Sequence, residues 1–166
     1  MQANGVTNVA VDNQAAGGNA VLSGGLGPYL LSRYQRDGLQ QQGVKYLMIF
    51  EGVNDIGSGG GNVGDSLINA FKKIVADAKA AGLVTIGATI TPFGGNSYSS
   101  GAHEQARTKV NQWIMTPGNF DHAVDFASFV GQGSSLKSTY DSGDHLHPNV
   151  AGYQQIANMF PLDIFK

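Results

Sequence analysis

Asp144 and His147 stand three positions apart on a short segment, Asp144-His145-Leu146-His147-Pro148, closed by proline. A carboxylate at that spacing can accept a hydrogen bond from one imidazole nitrogen. It thereby fixes the tautomer and leaves the other nitrogen free to take a proton. That is the chemistry of a general base whose orienting partner comes from the same loop. A metal site built from Asp141, Asp144, His145 and His147 is the competing use of these residues, but no further ligand region accompanies them. No metal is therefore expected.

Two more segments supply hydrogen-bond donors. Gly17-Gly18-Asn19 brings bare backbone N–H groups, and Gly52-Val53-Asn54-Asp55 brings a side-chain amide just past the most apolar run of the chain. Preorganised donors aimed at a developing oxyanion lower a barrier by roughly 3–4 kcal/mol each. Taken singly, Gly18 reads as a tight turn and Asn54 as an Asn-Asp turn bonded to its own backbone. Their order, and their placement after expected strands, sets the combination apart from either turn alone.

These groups must be held by a scaffold, and its pattern is legible. Strands are expected near residues 8–12, 45–51, 84–89 and 123–126. The run Tyr46 to Phe50 is almost continuously apolar, as in a parallel strand covered on both sides. Helices are expected over residues 28–39, 65–81, 104–114 and 149–160. In the second of these, Leu67, Ile68, Phe71, Ile74, Val75 and Ala78 form a stripe, with Asp65 as candidate N-cap and Gly82 as the stop. Strand and helix alternate throughout, which implies an α/β domain with a parallel sheet and helices on both faces. No linker divides the chain, so residues 1–166 are expected to form one domain.

Composition narrows the partners. With 42% hydrophobic and 13% charged residues, the 166-residue chain has the balance of a folded globular protein. Its net charge of −2 leaves no basic footprint for nucleic acid. No apolar run approaches the roughly 20 residues a membrane span needs. The chain has no cysteine, which excludes disulfides and a thiolate nucleophile. The opening Met1-Gln2-Ala3-Asn4-Gly5 has neither the charged nor the apolar region of a secretory leader.

The stretches NQAAGGNAVLSGGLGPYLLSRYQRDGL, GVKYLMIFEGVNDIG and YDSGDHLHPNVAGY closely resemble fungal and actinobacterial members of the SGNH (GDSL-like) hydrolase family. The similarity covers essentially the whole chain. It implies a three-layer α/β/α fold with a flavodoxin-like sheet. It also implies that Gly18 and Asn54 are oxyanion-hole donors, that His147 is the base and that Asp144 orients it. The activity implied is hydrolysis of short-chain acyl or acetyl esters through a serine acyl-enzyme, without metal or organic cofactor. Acetylated carbohydrate is among the substrates implied, and secretion is the implied localisation. The family's first strand and helix, with the Gly-Asp-Ser turn bearing its nucleophile, have no counterpart ahead of Gly18. Ser23 and Ser58 are the first candidates to replace that serine. A silent domain that only binds small esters or glycans is the alternative. The absent strand leaves a gap in the implied sheet, and a homodimer that covers it is expected.

Overall fold

Tyr46–Ile49 forms strand β1, whose side chains alternate between two faces, Ile49 buried on one and Tyr46 half-buried on the other beside the more exposed Met48. Leu47 and Ile49 join a core with Leu67, Phe71 and Ile74, while the Tyr46 ring meets Phe165 edge-on at 5.0 Å on the opposite side. Apolar contacts on both sides accompany the near-continuous apolar run. Strand β2, Val84–Ala88, pairs with β1 in parallel, Tyr46 opposite Val84 and Ile49 opposite Gly87. Strand β3, His122–Val124, pairs in parallel with β2, Ile86 opposite His122. The sheet order is β1-β2-β3, so β1 is an edge strand among the described residues. These are residues 5–165 of this computed structural model. Residues 1–4, part of the opening segment read for a leader, lie outside them.

The strand expected at residues 8–12 does not form. That segment is irregular and mostly exposed, with Val11 73% exposed, and its polar side chains bond locally. Gln14 donates to the Asp12 carboxylate, and Ala15 N–H donates to the Asn13 side chain. Two isolated valines provide too little apolar surface to hold an extended segment when no neighbouring strand reaches it.

Helix α1, Leu30–Tyr34, passes into one π-helical turn, Gln35–Leu39, closed by the Gln40 N–H on the Gln35 carbonyl. It starts later than expected because the Pro28 carbonyl and the preceding loop are engaged by Asn19. Helix α2 spans Val53–Ser58. Helix α3, Val63–Ala80, buries the expected stripe and begins two residues before Asp65, with Asn62 in the N-cap position. Asp65 is therefore no N-cap. It sits in the first turn, where a carboxylate complements the helix dipole, and pairs with Lys109 at 2.6 Å. Gly82 does end the helix: at φ +77° its N–H bonds the Lys79 carbonyl while Leu83 N–H bonds that of Ala78.

Helix α4, Gly101–Met115, is capped by Ser100, whose hydroxyl accepts the His103 N–H. Phe126 leaves the expected last strand and opens a short helix, α5, Phe126–Val130, behind the Asp125 cap. A small hairpin follows, β4 Gly131–Gln132 against β5 Ser135–Leu136. Helix α6, Val150–Met159, starts at Asn149, which accepts the Gly152 N–H. One apolar cluster joins α1, α3 and α4 to the sheet. A second joins Ile86, Ala88 and Val124 to Phe126, Val130 and Ile156.

Candidate active site

The loop before α1 is built around Asn19, which is 1% exposed. Its amide nitrogen donates to the Leu26 and Pro28 carbonyls, and its oxygen accepts from two nitrogens of the Arg33 guanidinium. The loop folds back so closely that the Gly18 carbonyl accepts Leu26 N–H at 2.8 Å. Gly18 has φ +69°, and a Cβ there would meet the Leu26 side chain at 2.8 Å. Its left-handed backbone conformation is what calls for glycine, since the exposed Leu26 side chain is free to move aside.

Helix α2 locks onto this loop. The Asp55 carboxylate, 5% exposed, accepts the Val21 N–H at 2.8 Å and the Leu22 N–H at 2.9 Å. Burial pushes its carboxyl above the usual range, against the pull of those two N–H groups. Next to it, the Asn54 amide donates to the Asn19 backbone carbonyl at 2.8 Å, and its oxygen accepts the Tyr98 hydroxyl at 3.3 Å. The Asn54 amide is thus oriented from both ends, with one N–H left uncommitted. Gly52, φ +118°, makes the turn from β1 into α2 against Ile90 and Leu67.

The third part is the loop ahead of α6. Asp144 Oδ2 lies 2.6 Å from His147 Nδ1, while Oδ1 accepts the Leu146 and His147 N–H groups and the Ser142 hydroxyl. The His147 ring contact, followed by these N–H groups, holds the Asp144 carboxyl well below the usual carboxylate range. With Nδ1 donating to Asp144, Nε2 is the nitrogen available to accept a proton.

A second, nested pair supports the loop. Asp141 Oδ2 lies 2.6 Å from His145 Nδ1, and Asp141 Oδ1 accepts the Gly143 and His145 N–H groups. Those contacts hold His145 at φ +61°, a left-handed conformation unusual for a residue with a side chain. Among the described residues, no group of three or more acidic, histidine or cysteine side chains is arranged to hold a metal ion.

Gly18, Asn54 and His147 line one crevice of about 360 Å³ at the carboxyl ends of β1 and β2. Phe50, Glu51, Thr91, Tyr98 and Tyr153 share it. Burial, then the nearby Asp55, pushes the Glu51 carboxyl up to about 7. Among the described residues no serine lines this crevice. Ser23 and Ser58 line a separate depression beside Asp55 and the Gly59-Gly60-Gly61 turn. The tetrapeptide Gly64-Asp65-Ser66-Leu67 does occur in the sequence, but as the first turns of α3, with Gly64 and Leu67 buried. Ser66 faces the same separate depression, which no histidine lines.

Sequence reasoning missed the supports: Asn19, Asp55, Tyr98, Arg33 and Asp141. Asn19 and Asp55 stood inside the quoted motifs, and their polarity beside apolar neighbours was the available signal. Tyr98 lies in a Gly/Ser/Asn-rich loop with no periodicity to mark it.

The fold and this set of residues define a known class of protein. The chain belongs to the GDSL-like lipase/acylhydrolase family, whose model matches residues 2–155. A search of the curated proteins finds no match. Among solved structures, the chain is similar to a Bacteroides fragilis protein assigned as an acylhydrolase, at 25% identity and TM-score 0.65. That match covers 78% of this chain and 64% of the other. A GDSL-like lipase from Bacteroides thetaiotaomicron matches at 19% identity and TM-score 0.62, over 78% and 65% of the two chains. An acetylxylan esterase from Geobacillus stearothermophilus matches at 20% identity and TM-score 0.61, over 81% and 64%. The chain thus spans less than two thirds of the length of each of these three proteins. At such identities the last two likenesses speak for the fold alone.

Proposed function

We propose that the protein is an ester hydrolase acting on short-chain acyl or acetyl esters, acetylated carbohydrate included. The observation that carries this reading is the crevice shared by His147, Asn54 and Gly18, with His147 held by Asp144 at 2.6 Å. In this reading His147 Nε2 takes the proton of the attacking hydroxyl and returns it to the leaving alcohol. The Asn54 amide and the Gly18 N–H receive the oxyanion of each tetrahedral intermediate. Asp144 keeps the ring in the required tautomer and stabilises the imidazolium.

The nucleophile is a serine from outside the residues that line the crevice, as in the family's Gly-Asp-Ser block. That block belongs with a first strand and helix beside the free edge of β1, completing a three-layer, flavodoxin-like domain. Secretion, and a homodimer that covers the β1 edge, complete this reading. An organophosphonate label located by mass spectrometry tests it: no serine of these 166 residues takes stoichiometric label. Stoichiometric labelling of Ser23, Ser58 or Ser66 would overturn the assignment. The absence of serine from the crevice lining also supports a second reading, a silent domain that binds small esters or glycans without turnover.

A further inference from the structure

Among the described residues, Glu51 is the one carboxyl lining the crevice that neither the His147 pair nor the Asp55 anchor uses. It sits at the end of β1, half-buried, between Phe50 and the Gly52 turn. Among the described residues no side chain hydrogen-bonds it. Arg33, the cation whose charge acts on Glu51, is already committed to Asn19, the Gln14 carbonyl and Asp37. A carboxylate placed there with only the Gly52 backbone N–H to receive it is unfavourable, whereas a glutamine or an apolar residue would serve packing alone. Asp55 on α2 and Arg33 on α1 act on its charge, and the titratable groups that share the crevice with it are His147 on the loop before α6, Tyr98 on the loop after β2 and Tyr153 on α6. Asp55 and Arg33 act on it in opposite senses, with burial the largest influence.

We propose that Glu51 contacts the ligand directly, its carboxyl hydrogen-bonding an uncharged oxygen, the carbonyl or a hydroxyl of an acylated polyol. The assignment rests on the crevice being the ester site. A carboxyl in this role selects neutral, oxygen-rich ligands and disfavours anionic acyl chains, because its own ionisation would meet theirs. Ligand binding and proton binding are then linked reciprocally: the ligand favours the protonated carboxyl, and ionisation weakens the ligand. Glutamine in its place keeps an N–H donor but carries no titrating proton.

N-methylacetamide, an uncharged carbonyl compound that resists hydrolysis, serves as the probe, with binding followed by amide NMR from pH 5 to 9. In the wild-type chain its affinity falls about tenfold per pH unit once Glu51 ionises near neutrality. Glu51→Gln retains affinity and is flat with pH, while Glu51→Ala binds weakly throughout. The fall persists in His147→Gln, which separates it from histidine titration. If the probe shifts the Asn54 and Gly18 signals but Glu51→Gln behaves as wild type, the Glu51 assignment alone is overturned. If those signals never move at any pH, the ester-site reading falls with it.

Discussion

The side-chain amide of Asn54 donates to the backbone carbonyl of Asn19 at 2.8 Å, tying the start of α2 to the loop that carries Gly18. One contact therefore sets the distance between two groups that sequence reading could only place in order. Asn54→Ala removes the bond, and unfolding by denaturant is expected to register a loss of about 1 kcal/mol. Asn54→Asp is expected to lose more, since a carboxylate would then face the Asn19 carbonyl and lie beside Asp55. An Asn54→Asp protein as stable as wild type would contradict this geometry.

Asp55 has a different task. Its carboxylate satisfies the buried Val21 N–H and the part-buried Leu22 N–H, so Asp55→Ala leaves both without a partner. Orphaned buried groups of this kind destabilise by about 1–3 kcal/mol each. Denaturant titration is expected to show a loss of about 3 kcal/mol in total. A loss below about 1 kcal/mol would mean that the loop is held by other contacts.

Glu51 gives stability a pH dependence of known sign. Its folded-state pKa, pushed up to about 7, lies above the ordinary carboxyl value of 4.5. The group therefore favours folding most below the ordinary value, and that contribution is lost as pH rises through about 7. Glu51→Gln removes the penalty. Its stability gain over wild type is expected to grow from pH 5 to pH 8 by on the order of 1–3 kcal/mol. A gain that shrinks over the same range would reverse the sign and contradict the burial argument.

The free edge of β1 leads to a prediction about assembly. Met48 and Phe50, each 39% exposed, lie on this strand or just past its end, and among the described residues no strand pairs with its outer side. Unpaired edges of parallel sheets invite covering. Light scattering is expected to give the mass of a dimer. A monodisperse monomer would contradict the homodimer.

Much of this architecture was legible in the sequence because its signals were periodic or punctuated. The α3 stripe, the Gly82 stop and the apolar β1 run each follow from local physics, and the parallel register follows from strand–helix alternation. The segment at residues 8–12 was misread because alternating valines look like a strand whether or not a neighbour exists to pair with them. Helix α2 went unseen because Val53–Ser58 is too short to show a period and opens on the Gly52 turn. At the candidate site, the Asp144–His147 spacing announced a contact that the loop then makes. The bonds that tie Asn54 to Asn19 and Tyr98 depend on long-range approach, which spacing along the chain does not encode, whereas the Asp141–His145 pair is local and its four-residue spacing was available to be read.

The central claim is that His147, in the crevice with Asn54 and Gly18, is the base of an ester hydrolase. Its most direct test is the rate of 4-nitrophenyl acetate hydrolysis by the wild-type chain and by His147→Ala at neutral pH. A general base contributes on the order of 100-fold or more. The expected result is slow wild-type turnover, weakened by the want of a serine in the crevice, that drops toward the buffer rate in His147→Ala. Equal rates in the two proteins, both slow or both fast, would contradict the account.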